Sequence, residues 1–211
     1  MLQLTNFRKT YHSQPVLQID FLSITSGIYW VQGVNGSGKS TLLKALAGIV
    51  CFEGDSVLNG QISLKRHSVA YRRLVNFAEA EPVFPEFLTG TELLNLFEVA
   101  KQAPDQQADY FLESMLMTGY INDPIRTYSS GMLKKLSLVL AFLGRPACIL
   151  LDEPLTTLDV DSLPILHAWI AEQHLQQGTT VLLSSHQPLE GTTLPTIQNI
   201  VVEHQTIRYA S

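Results

Sequence analysis

The chain has 211 residues, a net charge of −5, 16% charged and 45% hydrophobic residues, which suits one α/β domain with a full core or a core carrying a small inserted lobe. The acidic balance, with no basic run longer than Lys134-Lys135, argues against a nucleic-acid partner. No apolar stretch reaches the roughly 18–20 residues that span a bilayer. Nor does Met1-Leu2-Gln3-Leu4-Thr5-Asn6 have the basic-then-apolar form of a signal peptide, and Cys51 and Cys148 lack metal-type spacing, so a cytoplasmic setting with reduced thiols is expected.

In chain order, Leu2 to Phe7 and Pro15 to Leu22 alternate apolar and polar residues as half-buried strands do. Gly27-Ile28-Tyr29-Trp30-Val31 reads as a short buried strand, and Lys39 to Gly48 as a Leu- and Ala-rich helix. Strands are expected over Val57 to Leu64 and Val75 to Ala78. Three helical stretches follow, Thr89 to Lys101, Pro104 to Met117 and Ser129 to Leu143. Thr89 with Glu92 forms a capping-box pattern. On the third helix Leu133, Leu136, Leu140 and Leu143 make one packed face, with Lys134 and Lys135 expected off it. The chain then returns to β and α with a strand at Cys148 to Leu151, a helix at Asp161 to Gln177 and a strand at Thr179 to Ser184. Two short strands close it, at Ile197 to Glu203 and Thr206 to Tyr209. The pattern is one α/β domain over 1–211, with a core at 1–78 and 145–211 and a helical lobe at 79–144.

Between the buried strand and its helix lies Gly33-Val34-Asn35-Gly36-Ser37-Gly38-Lys39-Ser40-Thr41, which fits the phosphate-loop pattern G-x-x-x-x-G-K-[ST]. Glycines let the backbone wrap so that several N–H groups aim at one anion, and the helix N-terminus adds partial positive charge. Lys39 is then placed for the outer phosphates and the Ser40 hydroxyl for a magnesium ion. A second element, Ile149-Leu150-Leu151-Asp152-Glu153-Pro154, ends an apolar strand in two acids at the edge where open α/β sheets bind ligands. Asp152 suits the magnesium shell, and Glu153 the polarisation of an attacking water.

A third element, Tyr128-Ser129-Ser130-Gly131-Met132, opens the last helix of the lobe. With these motifs the chain resembles, over essentially its whole length, an ATP-binding subunit of the ABC transporter family. The resemblance implies a P-loop NTPase core with a mixed sheet, an antiparallel β subdomain and the inserted helical lobe. It also implies ATP and Mg²⁺ as ligands and ATP hydrolysis as the activity. Ser129 and Gly131 match the family's Leu-Ser-Gly-Gly-Gln signature, while Ser130 and Met132 depart from it; the Tyr-Ser-x-Gly-Met form is common among exporter-type members. In the family's head-to-tail dimer this signature contacts the γ-phosphate on the partner's loop. Leu158-Asp159 resembles the D-loop at that interface, His186 the switch histidine, and Tyr11 the aromatic that stacks on adenine.

The family's glutamine between core and lobe is missing. The segment reads Phe77-Ala78-Glu79-Ala80-Glu81-Pro82-Val83-Phe84, so Glu81, or else Glu79, is the substitute that could hold magnesium through oxygen. The resemblance implies a homodimer or heterodimer of ATPase subunits that drives separate transmembrane permease subunits from the inner face of the membrane. Export is the expected direction. Asp159-Val160-Asp161 and Ser185-His186-Gln187-Pro188-Leu189 also resemble the haem-exporter ATPase of cytochrome c maturation. The rival function is a soluble ABC-type ATPase of iron–sulfur assembly or another non-transport machine. Chromosome-type members insert a coiled coil ahead of the signature, for which no heptad run exists here.

Overall fold

The computed structural model describes residues 1–185, 194 and 196–210. The first strands, β1 (Leu2–Tyr11) and β2 (Gln14–Ile24), form an antiparallel pair. A loop joins β3 (Ile28–Gln32) to α1 (Lys39–Leu46); then come β4 (Glu53–Leu58), β5 (Ile62–Ser63), α2 (Ser68–Leu74) and β6 (Val75–Ala78). The helical stretch holds α3 (Gly90–Lys101), α4 (Gln107–Ser114), a 3₁₀ turn at Ile125–Thr127 and α5 (Ser130–Phe142). The chain closes with β7 (Cys148–Leu151), α6 (Ser162–Gln177), β8 (Thr180–Ser184), β9 (Ile197–Glu203) and β10 (Thr206–Tyr209).

The central sheet runs β10-β9-β3-β8-β7-β6, parallel except for the β9–β10 hairpin, and β2-β1-β4-β5 makes a separate antiparallel sheet. Strands covered on both faces read as continuous apolar runs, and every residue of β7 and β8 is buried. Alternate side chains feed two cores. Ile149, Leu151, Val181 and Leu183 pack with Phe111, Phe142 and Trp169 from the helices. Leu150, Leu182, Tyr29 and Val31 pack with Leu42 and Leu46 of α1 and with Leu2, Leu4 and Phe7 of the antiparallel sheet. Thus α1 and α6 cover opposite faces, and the carboxyl ends of β3, β7 and β8 share one edge.

Four local expectations are corrected. The strand expected over Val57 to Leu64 is a hairpin, because Asn59 (φ 52°) and Gly60 (φ 70°) are both left-handed and fold Ile62 back onto Leu58. The helix expected from Pro104 starts at Gln107, after Gln106 interrupts it at φ 64°. The helix α2 was not expected; it buries only Tyr71, so it carries no apolar period. Lys134, expected off the packed face of α5, is 0% exposed. That helix is buried almost all round from Leu136 to Phe142, which leaves its second turn no open side. The expected capping box of α3 is present, with Glu92 N donating to Thr89 Oγ1 at 3.2 Å and Thr89 N to Glu92 Oε2 at 2.8 Å.

Candidate functional site

The loop between β3 and α1 closes on itself. Ser37 N donates to Val34 O at 3.1 Å, and Leu42 N to Gly38 O at 2.8 Å begins the helix ladder. The first amides of α1 have no acceptor within the helix, which leaves them available to an anion at the loop. Two glycines are required sterically. A Cβ on Gly33 would lie 2.5 Å from both Ser37 Oγ and Val202 O, and Gly38 sits at φ 106° with Leu17 Cγ 3.0 Å from where its Cβ would be. Lys39, 6% exposed, donates to Gly33 O at 2.8 Å and Val34 O at 3.3 Å, so its ammonium lies under the loop. Burial lowers its proton affinity, while Glu153 and Asp152 act in the opposite direction and favour the charged form.

The acids come in on β7. Asp152 is 1% exposed, and its Oδ1 accepts from Ser40 Oγ at 3.0 Å and Ser184 Oγ at 2.7 Å. This sets a serine hydroxyl and a carboxylate together beside the phosphate loop. Hard oxygen donors of that kind fit a magnesium ion. Glu153 is left-handed at φ 45°, a conformation costing a non-glycine residue roughly 1–2 kcal/mol. Four hydrogen bonds hold it there. Its N–H donates to Ser184 Oγ at 3.0 Å, and its carbonyl accepts from Lys134 Nζ at 3.0 Å, Thr156 Oγ1 at 2.7 Å and Thr156 N at 3.3 Å. At about 1 kcal/mol net apiece these exceed the strain.

Tyr11, Val16, Asn35, Gly36, Gly38, Lys39, Ser40, Thr41 and Glu153 line one groove of about 520 Å³, the size of a small-ligand site. A second recess continues from it past Val34 and Ser37 to His204 and Gln205 of the β9–β10 turn. Tyr11 is 43% exposed, with the Lys9 ammonium 4.4 Å from its ring centroid, so one ring face is already covered by a cation.

Other expected site residues do not line this groove. Ser129 is the exposed N-cap of α5, its Oγ accepting from Met132 N at 3.2 Å. A Cβ on Gly131 would lie 3.2 Å from Thr157 O. Asp159 accepts from Ser162 N at 2.9 Å and pairs with Lys135 at 2.8 Å. The Lys135 and Ser162 hydrogen bonds draw its carboxyl down to about 2. Ser129, Gly131 and Asp159 therefore form a separate cluster where α5 meets the approach to α6. Glu81 is exposed and outside the groove lining, while Glu79 pairs with Lys44 of α1. His186 lies outside the described residues.

A model of the family described as ABC transporter matches residues 19–156, which contain the loop, the Ser129 segment and both acids. The chain belongs to the ABC transporter family. It is 31% identical over 191 residues to the ABC transporter ATP-binding protein YdbJ of Bacillus subtilis (strain 168), covering 88% of this chain and 61% of that protein. It is also 31% identical over 194 residues to the phospholipid-transporting ATPase ABCA7 of Homo sapiens, covering 88% of this chain but only 9% of that protein. The chain thus spans about three fifths of one relative and a small part of the other. A solved dimeric, post-hydrolysis ATP-binding cassette bound to ADP and Pi superposes with a TM-score of 0.84 at 20% identity, covering 100% of this chain and 98% of that one. An ATP-binding subunit of an ABC transporter superposes at 0.87 and 24% identity, covering 100% and 90%. These likenesses show the fold, that of an ABC ATPase domain.

Sequence reasoning gave no role in the site to three residues. Ser184 bridges Asp152 and the Glu153 amide, Thr156 closes on the Glu153 carbonyl, and Lys134 reaches that carbonyl from α5. Ser184 had a signal, a hydroxyl at the end of the apolar run Thr179 to Ser184 beside the acid-bearing strand. The other two had none that periodicity reads.

Proposed function

We propose that this domain binds and hydrolyses ATP as the motor of an ABC transporter working in the export direction, with two copies closing head to tail. The observation that carries the reading is the Ser40–Asp152 pair at 3.0 Å, set beside Lys39 and next to Glu153 in one groove. Phosphoryl transfer asks mainly for positioning and charge stabilisation. The α1 amides and the Lys39 ammonium hold the triphosphate, and Lys39 exchanges its two loop carbonyls for phosphate oxygens. Ser40 Oγ and Asp152 would hold magnesium, which would supply screening of phosphate charge. Glu153 orients and polarises the attacking water, with His186 proposed at the γ-phosphate. Tyr11 offers its open ring face to the adenine.

The partner reading rests on separate features. Ser129 and Gly131 are absent from their own chain's groove lining, which supports a role on the γ-phosphate of a second copy, with Asp159 at the interface. Among the described residues no helix is long and apolar enough to cross a membrane. Val83, Phe87, Leu96 and Val99, on α3 and the loop before it, are each more than half exposed, and these apolar side chains suit contact with transmembrane subunits. Glu81 lies at the start of that loop and is proposed to reach the metal when the loop moves. The likeness to a haem exporter involves Asp159–Asp161, which lie outside the groove lining, and Ser185–Leu189, of which only Ser185 is among the described residues; cargo selection falls to the membrane subunits.

Glu153→Gln tests the reading. It keeps ATP-Mg affinity, slows turnover by ~10²–10⁴-fold and accumulates an ATP-bound dimer. Turnover within a few-fold of the parent, measured with γ-labelled ATP, refutes the role of Glu153.

A further inference from the structure

Lys134 is a fully buried lysine in α5 that the signature likeness leaves without a role. Its ammonium donates to Glu79 O at 3.1 Å, Ala80 O at 2.7 Å and Glu153 O at 3.0 Å. Three N–H groups thus meet three carbonyls. Two of these belong to the loop leaving β6, and one to the residue whose side chain enters the groove. An ammonium in this position is charge-assisted toward every acceptor, which strengthens each bond. Burial brings its proton affinity down to about 8, while Asp152, Glu153, Glu81 and Glu79 favour the charged form.

The position of Glu153 makes this contact more than packing. The residue is left-handed, and its Thr156 and Ser184 partners come from elements beside it at the carboxyl edge of the sheet. Among these partners Lys134 is the one that also bonds the stretch Glu79–Ala80, which continues into the exposed apolar residues Val83 and Phe87. A shift of that loop displaces the two carbonyls, and the ammonium passes the shift to the Glu153 backbone. No side chain of the loop is needed for this link, so it operates without the missing glutamine.

We propose that Lys134 is a positioning residue for hydrolysis, fixing the Glu153 backbone and tying it to the Glu79–Ala80 loop so that loop movement is read at the groove. This rests on Glu153 serving as the group that polarises water. Displacing such a group by about 1 Å costs on the order of 10²-fold in rate.

The experiment measures kcat, KM and ATP-Mg affinity on the full chain for Lys134→Met, Lys134→Arg, Glu153→Gln and the double variant Lys134→Met/Glu153→Gln. Lys134→Met should lower kcat by ~10–100-fold with nucleotide affinity within about threefold of the parent. Lys134→Arg, which keeps a charged donor, should recover most of that loss. In the Glu153→Gln background Lys134→Met should cost less than about threefold, since the group it positions is already disabled. Parental kcat in Lys134→Met overturns the proposal. So does a loss confined to nucleotide affinity, or an equal loss in both backgrounds. If Lys134→Met does not fold, Lys134→Gln enters the same cycle with the same limits. Parental turnover in Glu153→Gln alone overturns the role of Glu153, and that result is obtained without any Lys134 variant.

Discussion

Replacing Asn76 by Leu should loosen α5 from the sheet. Asn76 is 2% exposed on β6, and its Nδ2 donates to Ala141 O and Leu143 O, both at 2.8 Å. These carbonyls end α5, where no further helical amide follows to bond them, because Leu143 is already extended at ψ 148°. Leucine is close to isosteric and leaves both carbonyls buried without those donors, at roughly 1–3 kcal/mol each. It also removes Asn76 Oδ1, which has no hydrogen-bond partner, and so recovers about 1–2 kcal/mol. The expected net loss is about 2–3 kcal/mol. Asn76→Asp should be worse still, since it aims a carboxylate at two carbonyls in a dry site. Urea unfolding at pH 7 measures both, with the midpoint moving at unchanged slope. ATP-Mg affinity should stay within about threefold of the parent, because the groove lining does not include Asn76. A loss below about 0.5 kcal/mol for Asn76→Leu, or Asp better tolerated than Leu, would refute the view that this amide caps the helix.

Mixing Ser129→Arg subunits with Lys39→Ala subunits should restore about one working site per heterodimer although each variant alone is inactive; mixtures as inactive as their parts exclude the head-to-tail arrangement. Glu81→Gln should raise ATP affinity in the absence of metal and weaken its dependence on magnesium, because it removes the carboxylate proposed to approach the triphosphate when its loop moves; superimposed magnesium titrations for parent and variant would leave Glu81 in solvent. Lys101 supplies the pH test. Its ammonium is bonded to Arg72 O and Val75 O, and burial lowers its pKa from 10.5 to about 8. Between those values the unfolded chain holds a proton that the fold has released, so this residue's contribution to stability rises with pH across the window. Unfolding measured at pH 7.5 and pH 10 should show the parent gaining on Lys101→Met as pH rises, and an unchanged difference between the two proteins contradicts the sign. Comparison with the variant is needed because Cys148, pushed up to about 12 by burial, adds an opposite trend above pH 9 in both.

The parts of the fold legible in the sequence are those whose chemistry is local. The phosphate loop is contiguous, its glycines are demanded by Ser37, Val202 and Leu17 at close range, and the strand before it and helix after it are apolar runs of the right length. The position of the acids after β7 is legible for the same reason, since a run buried on both faces that ends in two carboxylates sets them at the carboxyl edge of the sheet. What escaped depends on partners distant in the chain. Tyr71 is the one buried residue of α2, its hydroxyl 2.7 Å from Ser56 Oγ, and one buried residue makes no period. The Asn59-Gly60 pair was a hairpin signal within a stretch otherwise apolar enough to read as one strand.

Lys134 shows the limit most clearly. A leucine face on α5 is correctly read from the spacing, but spacing assumes that the opposite face meets water. Here the opposite face meets the Glu79–Ala80 loop and the end of β7, both of which present carbonyls rather than apolar groups. A buried surface made of carbonyls calls for a donor with several N–H groups, and lysine provides three. The residue type that a helical wheel assigns to solvent is therefore the one this interface needs, and only the backbone of two other segments reveals it. Ser129 is the converse case. Its segment is recognisable in the sequence, yet within one chain it only caps a helix at an exposed end, because the surface it is proposed to complete belongs to another copy.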